Sequence, residues 1–167
     1  DTHIPDRTPA LNAEFLAAIR EEGVDLIMHA GDISVGRVLD ELEKIAPLLA
    51  VRGNRDFLLI GRLPMFQVLE KHGVKIALMH GHMNFFTYWL DKVIYIFKGY
   101  DRQRYTSRLS GAVRDATVYI YGHTHHAESF WHEGHYYFNP GSITYGDFPD
   151  QQRSWGILEI HPDGRVE

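Results

Sequence analysis

The chain has 167 residues and a mass of 19.3 kDa, the size of one globular domain. Apolar residues make up 44% and charged residues 23%, which is too apolar for a disordered chain. Seventeen basic against 22 acidic residues leave a formal charge of −5, which gives no electrostatic footprint for non-specific nucleic-acid binding.

Residues 8–22 read as a helix, with Thr8 as N-cap, Pro9 at the first helical position and Leu11, Phe15, Leu16 and Ile19 as its apolar stripe. Residues 26–28 form a short buried-strand run that stops at His29-Ala30-Gly31-Asp32. Ser34 caps a second helix reaching about Ala46, and residues 47–51 are another apolar strand, ending in Arg52-Gly53-Asn54-Arg55-Asp56. A hairpin is expected from 68–70 and 74–79 around Lys71-His72-Gly73, followed by an aromatic helical segment over 84–112. Strands follow at 118–121, 128–131, 136–138 and 155–160, the last closed by Pro162-Asp163-Gly164. There is no repeat and no linker, so residues 1–167 read as one domain. The order is βαβαβ and then mostly β: an α/β (α+β) fold with a mixed sheet or two packed sheets and helices outside.

With no cysteine, disulfides, thiolate metal sites and thiol nucleophiles are excluded, and a cytoplasmic setting fits. The most apolar run, 83–97, is interrupted by Asp91 and Lys92 and is too short to span a bilayer. The unusual count is histidine, 11 in one domain, which points to metal chemistry. Five polar segments carry the candidates: Asp1-Thr2-His3, Gly31-Asp32, the 53–56 loop, His80-Gly81-His82 and Gly122-His123-Thr124-His125. Alone, each reads as a solvated loop as readily as a site. Residues two apart on extended backbone point the same way, so Asp1 with His3, and His123 with His125, can each grip one ion. Asp32, Asn54 and His80 follow three separate apolar strands, so one sheet edge can bring all five segments together. Carboxylates, imidazoles and one amide oxygen suit Mn²⁺, Fe²⁺ or Zn²⁺. A shared carboxylate, most naturally Asp32, can bridge two ions roughly 3.5–4 Å apart, a spacing suited to phosphoryl chemistry.

The ordered set D-x-H, G-D, G-N-x-D, G-H and G-H-T-H resembles the calcineurin-like metallophosphoesterase superfamily. The small size, the D-T-H opening and Asn139-Pro140-Gly141-Ser142 resemble its small bacterial and archaeal phosphodiesterase branch. The likeness runs from Asp1 to about Ser142. It implies a two-layer β-sandwich of mixed sheets flanked by helices. It also implies two divalent ions, Mn²⁺ foremost with Ni²⁺, Fe²⁺, Zn²⁺ or Mg²⁺ as alternatives. Asp1, His3, Asp32 and His125 would hold one ion, and Asp32, Asn54, His80 and His123 the other. The implied reaction is phosphodiester hydrolysis of a small phosphate ester by a metal-bridging hydroxide attacking in line, with Asn54, Arg55 and His80 stabilising transition-state charge. A phosphomonoesterase fits the same motifs. A protein-interaction scaffold is the rival, because a retromer subunit with this fold serves mainly as an assembly platform.

Two departures from the family pattern matter. Arg55 stands where many members carry a histidine that protonates the leaving group. Arginine cannot be a general acid at neutral pH, though it can neutralise phosphoryl charge or simply form a surface salt bridge. His82 or His126 would then supply the proton, or serve in structural roles. The family also places a buried strand directly before D-x-H, so an upstream apolar strand is expected; a frayed Asp1 would make a poor ligand. Asp56 reads as an orienting carboxylate and His29 as a packed histidine. His72, His132, His135 and His161 read as surface residues, and 139–142 as a structural turn near the site. Residues 84–114, with Phe85, Phe86, Tyr88, Trp89, Tyr95 and Phe97 before Lys98, Arg102, Arg104, Arg108 and Arg114, allow two readings. One is a core-packed helix pair with a solvated basic face. The other is a lid or homo-oligomer surface whose arginines recognise phosphate.

Overall fold

The computed structural model describes residues 1–82, 85–144 and 152–167. Helix α1 (Ala13–Glu21) leads to strand β1 (Ile27–His29), helix α2 (Gly36–Leu42) and strand β2 (Leu48–Ala50). A 3-10 turn at Phe57–Leu59 precedes the hairpin β3 (Phe66–Lys71) and β4 (Val74–Met79). Helices α3 (Phe85–Lys98) and α4 (Arg102–Ala112) follow, then β5 (Val118–Ile120), β6 (Glu128–His132) and β7 (His135–Asn139). No helix among the described residues is long and apolar enough to cross a membrane.

The strands form two sheets. β1 and β2 pair in parallel, and the larger sheet runs β3-β4-β5-β7-β6, mixing parallel and antiparallel pairs. Side chains alternate across a strand, and β4 uses both faces. Val74, Ile76 and Leu78 pack with Val118 and Ile120 against Met28, Ala30, Leu49 and Val51, which fills the space between the sheets. Ala77 and Met79 point the other way, with Tyr119 and Tyr137, onto Leu109 and Val113 around α4. On the far side of the small sheet, Leu16 and Ile19 of α1 and Val38, Leu39 and Leu42 of α2 meet Ile4, Ile33 and Ala50. The result is the expected pair of packed sheets with helices outside.

Three local expectations are corrected. α1 starts at Ala13, not near Thr8, because Asn12 Oδ1 accepts the Glu14 N–H at 2.7 Å while the Thr8 hydroxyl turns to the Ala10 carbonyl. Asn12→Ala is therefore expected to cost about 1 kcal/mol, a Tm loss of roughly 2–4 °C in a chain of this size, by urea and thermal unfolding. α2 ends at Leu42, short of Ala46, and its N-cap is Val35 without a side-chain bond; Ser34 sits at φ 71° with its N–H given to Asp56. The 155–160 run makes no strand ladder, only an antiparallel bridge between Ile160 and Val166. A cavity of about 530 Å³, lined by Phe15, Ile27, Ile143, Trp155 and Leu158 among others, separates this run from β1. Backbones held apart across that space cannot exchange hydrogen bonds.

Candidate metal centre

All five polar segments meet at one end of the sheets. His80 directly follows β4, and His123 and His125 follow β5; Asp32 and Asn54 lie in the loops after β1 and β2. The first segment is laid beside the Asp32 loop by backbone bonds: Thr2 and His3 N–H donate to the Asp32 carbonyl at 3.2 and 2.9 Å. Asp1 itself is buried. Its carbonyl accepts from Ile143 N–H at 3.2 Å and from the Ser142 hydroxyl at 3.1 Å. The 139–142 turn also holds the G-H-T-H loop, through Asn139 Nδ2 on the Gly122 carbonyl and the Thr124 hydroxyl.

Glycine is required at two of these crossings. A Cβ at Gly53 would lie 2.2 Å from Asp32 N and Oδ1, and one at Gly122 would lie 2.3 Å from Asp1 Oδ1. His3, Asp32, His123 and His125 all adopt positive φ, 49°, 54°, 71° and 56°. Non-glycine residues pay strain there, and such residues concentrate where surrounding structure forces side chains to converge.

Converge they do. His3 Nε2 lies 2.9 Å from His125 Nε2, and His125 Nε2 lies 2.9 Å from Asp1 Oδ2. Beside this group, Asn54 Oδ1 stands 3.0 Å from both His80 Nε2 and His123 Nδ1. Asp32 faces both groups: Oδ2 is 3.7 Å from His3 Nε2, and Oδ1 is 3.5 Å from His80 Nε2. All seven residues singled out from the motifs are thus in one cluster, and Asp1-His3-His125 and Asp1-Asp32-His80 each form a compact candidate ligand group.

The donor chemistry fits cations. His80 Nδ1 must carry the proton it gives to the Ala30 carbonyl at 2.7 Å, so Nε2 turns a lone pair toward the Asn54 and Asp32 oxygens. Acceptors face acceptors. Asp1 Oδ1 is buried with no hydrogen-bond partner, a costly state unless a positive charge compensates it. Burial, before neighbouring charges, pushes His3 down to about 2 and holds His80 and His123 far below the usual imidazole range. All three rings are therefore neutral, the form that binds metal. Burial raises Asp32 above the ordinary carboxyl range, against the pull of the Arg55 N–H.

Around the cluster, Asp56 and His29 take the orienting and packed roles expected of them, and Arg55 takes the salt-bridge alternative. Asp56, 1% exposed, accepts Ile33 and Ser34 N–H on Oδ1 at 2.7 and 2.6 Å and Gly53 N–H on Oδ2 at 2.7 Å, tying the two ligand loops together. Arg55 contributes backbone to the site, its N–H on Asp32 Oδ1 at 2.8 Å; its guanidinium pairs with Asp6 at 3.2 Å, both side chains about 40% exposed. His82 is buried beside His80 and His123, at ring distances of 5.2 and 6.3 Å, whereas His126 stacks on Tyr100. His29 is packed, its Nδ1 accepting from Gly31 N–H. His72 is exposed, and His132, His135 and His161 are partly buried.

Two contributors escaped the motif reading. Arg7 brings Nη1 within 3.5 Å of His125 Nδ1. Asp91, an interruption in an apolar run, is buried on the inner face of α3, with Oδ2 4.0 Å from His123 Nε2. Its helical spacing from Tyr88, whose ring lies 5.9 Å from that of His123, was the available signal. Asp91 takes both nitrogens of Arg108, at 2.6 and 2.8 Å, and Arg104 at 2.5 Å. These two arginines are thereby committed within the protein, not presented to phosphate. Asp91→Ala strands both partly buried cations and is expected to cost about 2–3 kcal/mol by urea unfolding, below the range for fully buried pairs.

The fold and the cluster of candidate ligands are those of the metallophosphoesterase class. The chain belongs to the calcineurin-like phosphoesterase superfamily, whose domain model matches residues 1–163. A "Probable metallophosphoesterase" of Methanothermobacter thermautotrophicus is 33% identical over 144 residues, covering 86% of this chain and 74% of the relative. Another from Methanocaldococcus jannaschii is 35% identical over 127 residues, 75% of this chain but only 55% of that protein. Among solved structures, wild-type Vps29 of Entamoeba histolytica complexed with Zn²⁺ is similar, with a TM-score of 0.74 and 26% identity, covering 100% of this chain and 92% of that one.

Proposed function

We propose that the protein is a phosphodiesterase that works with two divalent ions, Mn²⁺ foremost, shared across Asp32. The observation that carries this reading is the position of the Asp32 carboxylate, one oxygen toward His3 and the other toward His80. Asp1, His3 and His125 complete one ligand set, and Asn54, His80 and His123 the other. Zn²⁺ in the related Vps29 structure supports cation binding by this fold. What the ions supply when bound is polarisation of the phosphoryl oxygens and a lower pKa for water.

The chain's own residues do the rest. The Ala30 carbonyl fixes the tautomer and orientation of His80, and Asp91 lies 4.0 Å from the outer nitrogen of His123. Asn54 presents its amide between those rings. Arg7, beside His125, brings positive charge to the cluster. Arg55 can act on the phosphoryl group by exchanging Asp6 for it, since that pair is half-exposed. His82 is the better placed of the two proton donors considered, because it borders His80 and His123.

The test is to strip the protein with chelator, re-add Mn²⁺, Ni²⁺, Zn²⁺ or Mg²⁺ singly, and follow a chromogenic phosphodiester beside its monoester. Metal-restored diester cleavage is expected. Faster monoester cleavage would move the assignment to a phosphatase. The Vps29-like architecture favours a second reading, an interaction scaffold. Stoichiometric metal binding with no turnover of either ester would select it.

A further inference from the structure

The arginines near the centre differ in what holds them. Arg55 pairs with Asp6, and Arg104 and Arg108 with Asp91. Arg52, half-buried in the loop that carries Gly53 and Asn54, makes no ion pair among the described residues, Asp1 and Asp32 included. Its side-chain bond there runs from Nη2 to Met65 Sδ at 2.9 Å, and a thioether is a weak acceptor. The rest of its N–H groups have no acceptor among the described residues. The backbone beneath is pinned, with Arg52 N–H on the Pro64 carbonyl at 2.8 Å.

This cation lies beside the ligand cluster and outside it. Met65, which it bonds, borders with Phe66, His80 and His82 a cleft of about 20 Å³, room for about one water. His82 in turn adjoins the rings of His80 and His123. Its environment registers the arginine: burial chiefly, with the charges of Arg52 and Arg108, lowers the His82 pKa against the pull of Asp32 and Asp91.

We propose that Arg52 is a substrate-binding residue that takes a second phosphate of the substrate, next to the ester phosphate at the ligand cluster. This rests on reading the cluster as a phosphoester site, and it narrows the substrate class to phosphodiesters carrying a further phosphate. Because Arg52 pairs with neither carboxylate of the cluster, an anion on it is a different group from the phosphoryl held there. A phosphate suits it better than a carboxylate. Several open N–H groups meet three acceptor oxygens and a charge of about −1.5 to −2, against two oxygens and one charge. Phe66, 53% exposed, borders the same cleft as His80 and offers carbon surface to the framework joining the two phosphates. Arg55 is placed differently, since its guanidinium must leave Asp6 before it binds anything, whereas Arg52 has no carboxylate to leave.

The experiment measures binding, so it does not depend on turnover. The Mn²⁺-loaded protein is titrated calorimetrically with thymidine monophosphate and with thymidine bisphosphate, phosphorylated on both sugar hydroxyls. The bisphosphate is expected to bind about 10–100-fold more tightly, the worth of a charge-assisted pair. Arg52→Gln should erase the preference, and Arg52→Lys, which keeps the charge but not the fork, should retain part of it. Urea unfolding checks that both variants fold. Kinetics should split the same way. With p-nitrophenyl thymidine phosphate bearing a second phosphate on the free sugar hydroxyl, Arg52→Gln should raise KM far more than it lowers kcat. A bisphosphate preference that is absent, or that survives Arg52→Gln, would overturn the proposal even where diesters are cleaved. A preference that needs Arg52 in a protein that turns over no ester would uphold it and remove the catalytic reading instead.

Discussion

Asp32→Ala is expected to lower metal-dependent phosphoester hydrolysis by about three orders of magnitude or more. Loss of shared coordination removes several kcal/mol of transition-state charge stabilisation, and about 4 kcal/mol corresponds to that factor. Asp32 is 3% exposed, and its carboxylate faces the lone-pair nitrogens of His3 and His80. Asp1, the other carboxylate near both groups, lies instead toward the Nδ1 side of His80 that donates to Ala30. The fold should tolerate the change. The bonds from Thr2 and His3 go to the Asp32 carbonyl, which alanine keeps, and the one bond lost is that from Arg55 N–H. Removing a buried carboxylate near Asp1 also relieves a desolvated charge. The second readout is thermal. A metal at 100 times its dissociation constant adds about 2.7 kcal/mol, which raises Tm by roughly 5–11 °C in a chain of this size. That rise should appear for wild type and shrink to a degree or two for Asp32→Ala. A variant that still binds two equivalents of metal and gains the full rise would remove Asp32 from the bridging position.

The candidate ligand cluster was legible because Asp32, Asn54, His80, His123 and His125 each follow an apolar strand in a short glycine-bearing motif, with Asp1 and His3 added by their D-x-H spacing, and parallel strands deliver their C-terminal loops to one edge. Chemistry at strand ends is therefore written locally. The packed histidine at 29 and the bracing turn at 139–142 follow the same logic. What was not legible depends on distance. Thr8 and Asn12 are both good caps, and only the burial of Leu16 and Ile19 decides which residue starts the helix. The 155–160 run has strand composition, but a strand needs a partner within hydrogen-bond reach, and a cavity intervenes. Arg55 sits in a site motif, yet its side chain is claimed by Asp6, a residue with no motif around it. Asp91 looked like a flaw in an apolar segment. It becomes part of the centre only because α4, bearing Arg104 and Arg108, folds back over α3.

Asp56→Ala should cost more stability than any other single substitution considered, about 4–6 kcal/mol. Three buried backbone donors, from Ile33, Ser34 and Gly53, lose their only described acceptor at once. Each unpaired buried donor costs about 1–3 kcal/mol, toward the upper end where the acceptor was charged. Domains of this kind have only about 5–15 kcal/mol in total, so the variant should unfold at much lower urea or fail to accumulate. Asp56→Asn separates charge and geometry from bulk: its one remaining oxygen can serve either the Ile33–Ser34 pair or Gly53, so roughly half the loss is expected. The damage should also reach the metal centre. Gly53 adjoins Asn54 and touches the Asp32 backbone closely enough that no Cβ fits between them, so a loosened Gly53 frees both ligands. Metal affinity of folded Asp56→Asn, by calorimetric titration, should fall by about 10–100-fold, the usual consequence of removing a support behind metal ligands. An Asp56→Asn protein with weakened folding but unaltered metal affinity would show that the two loops hold their geometry independently of this carboxylate.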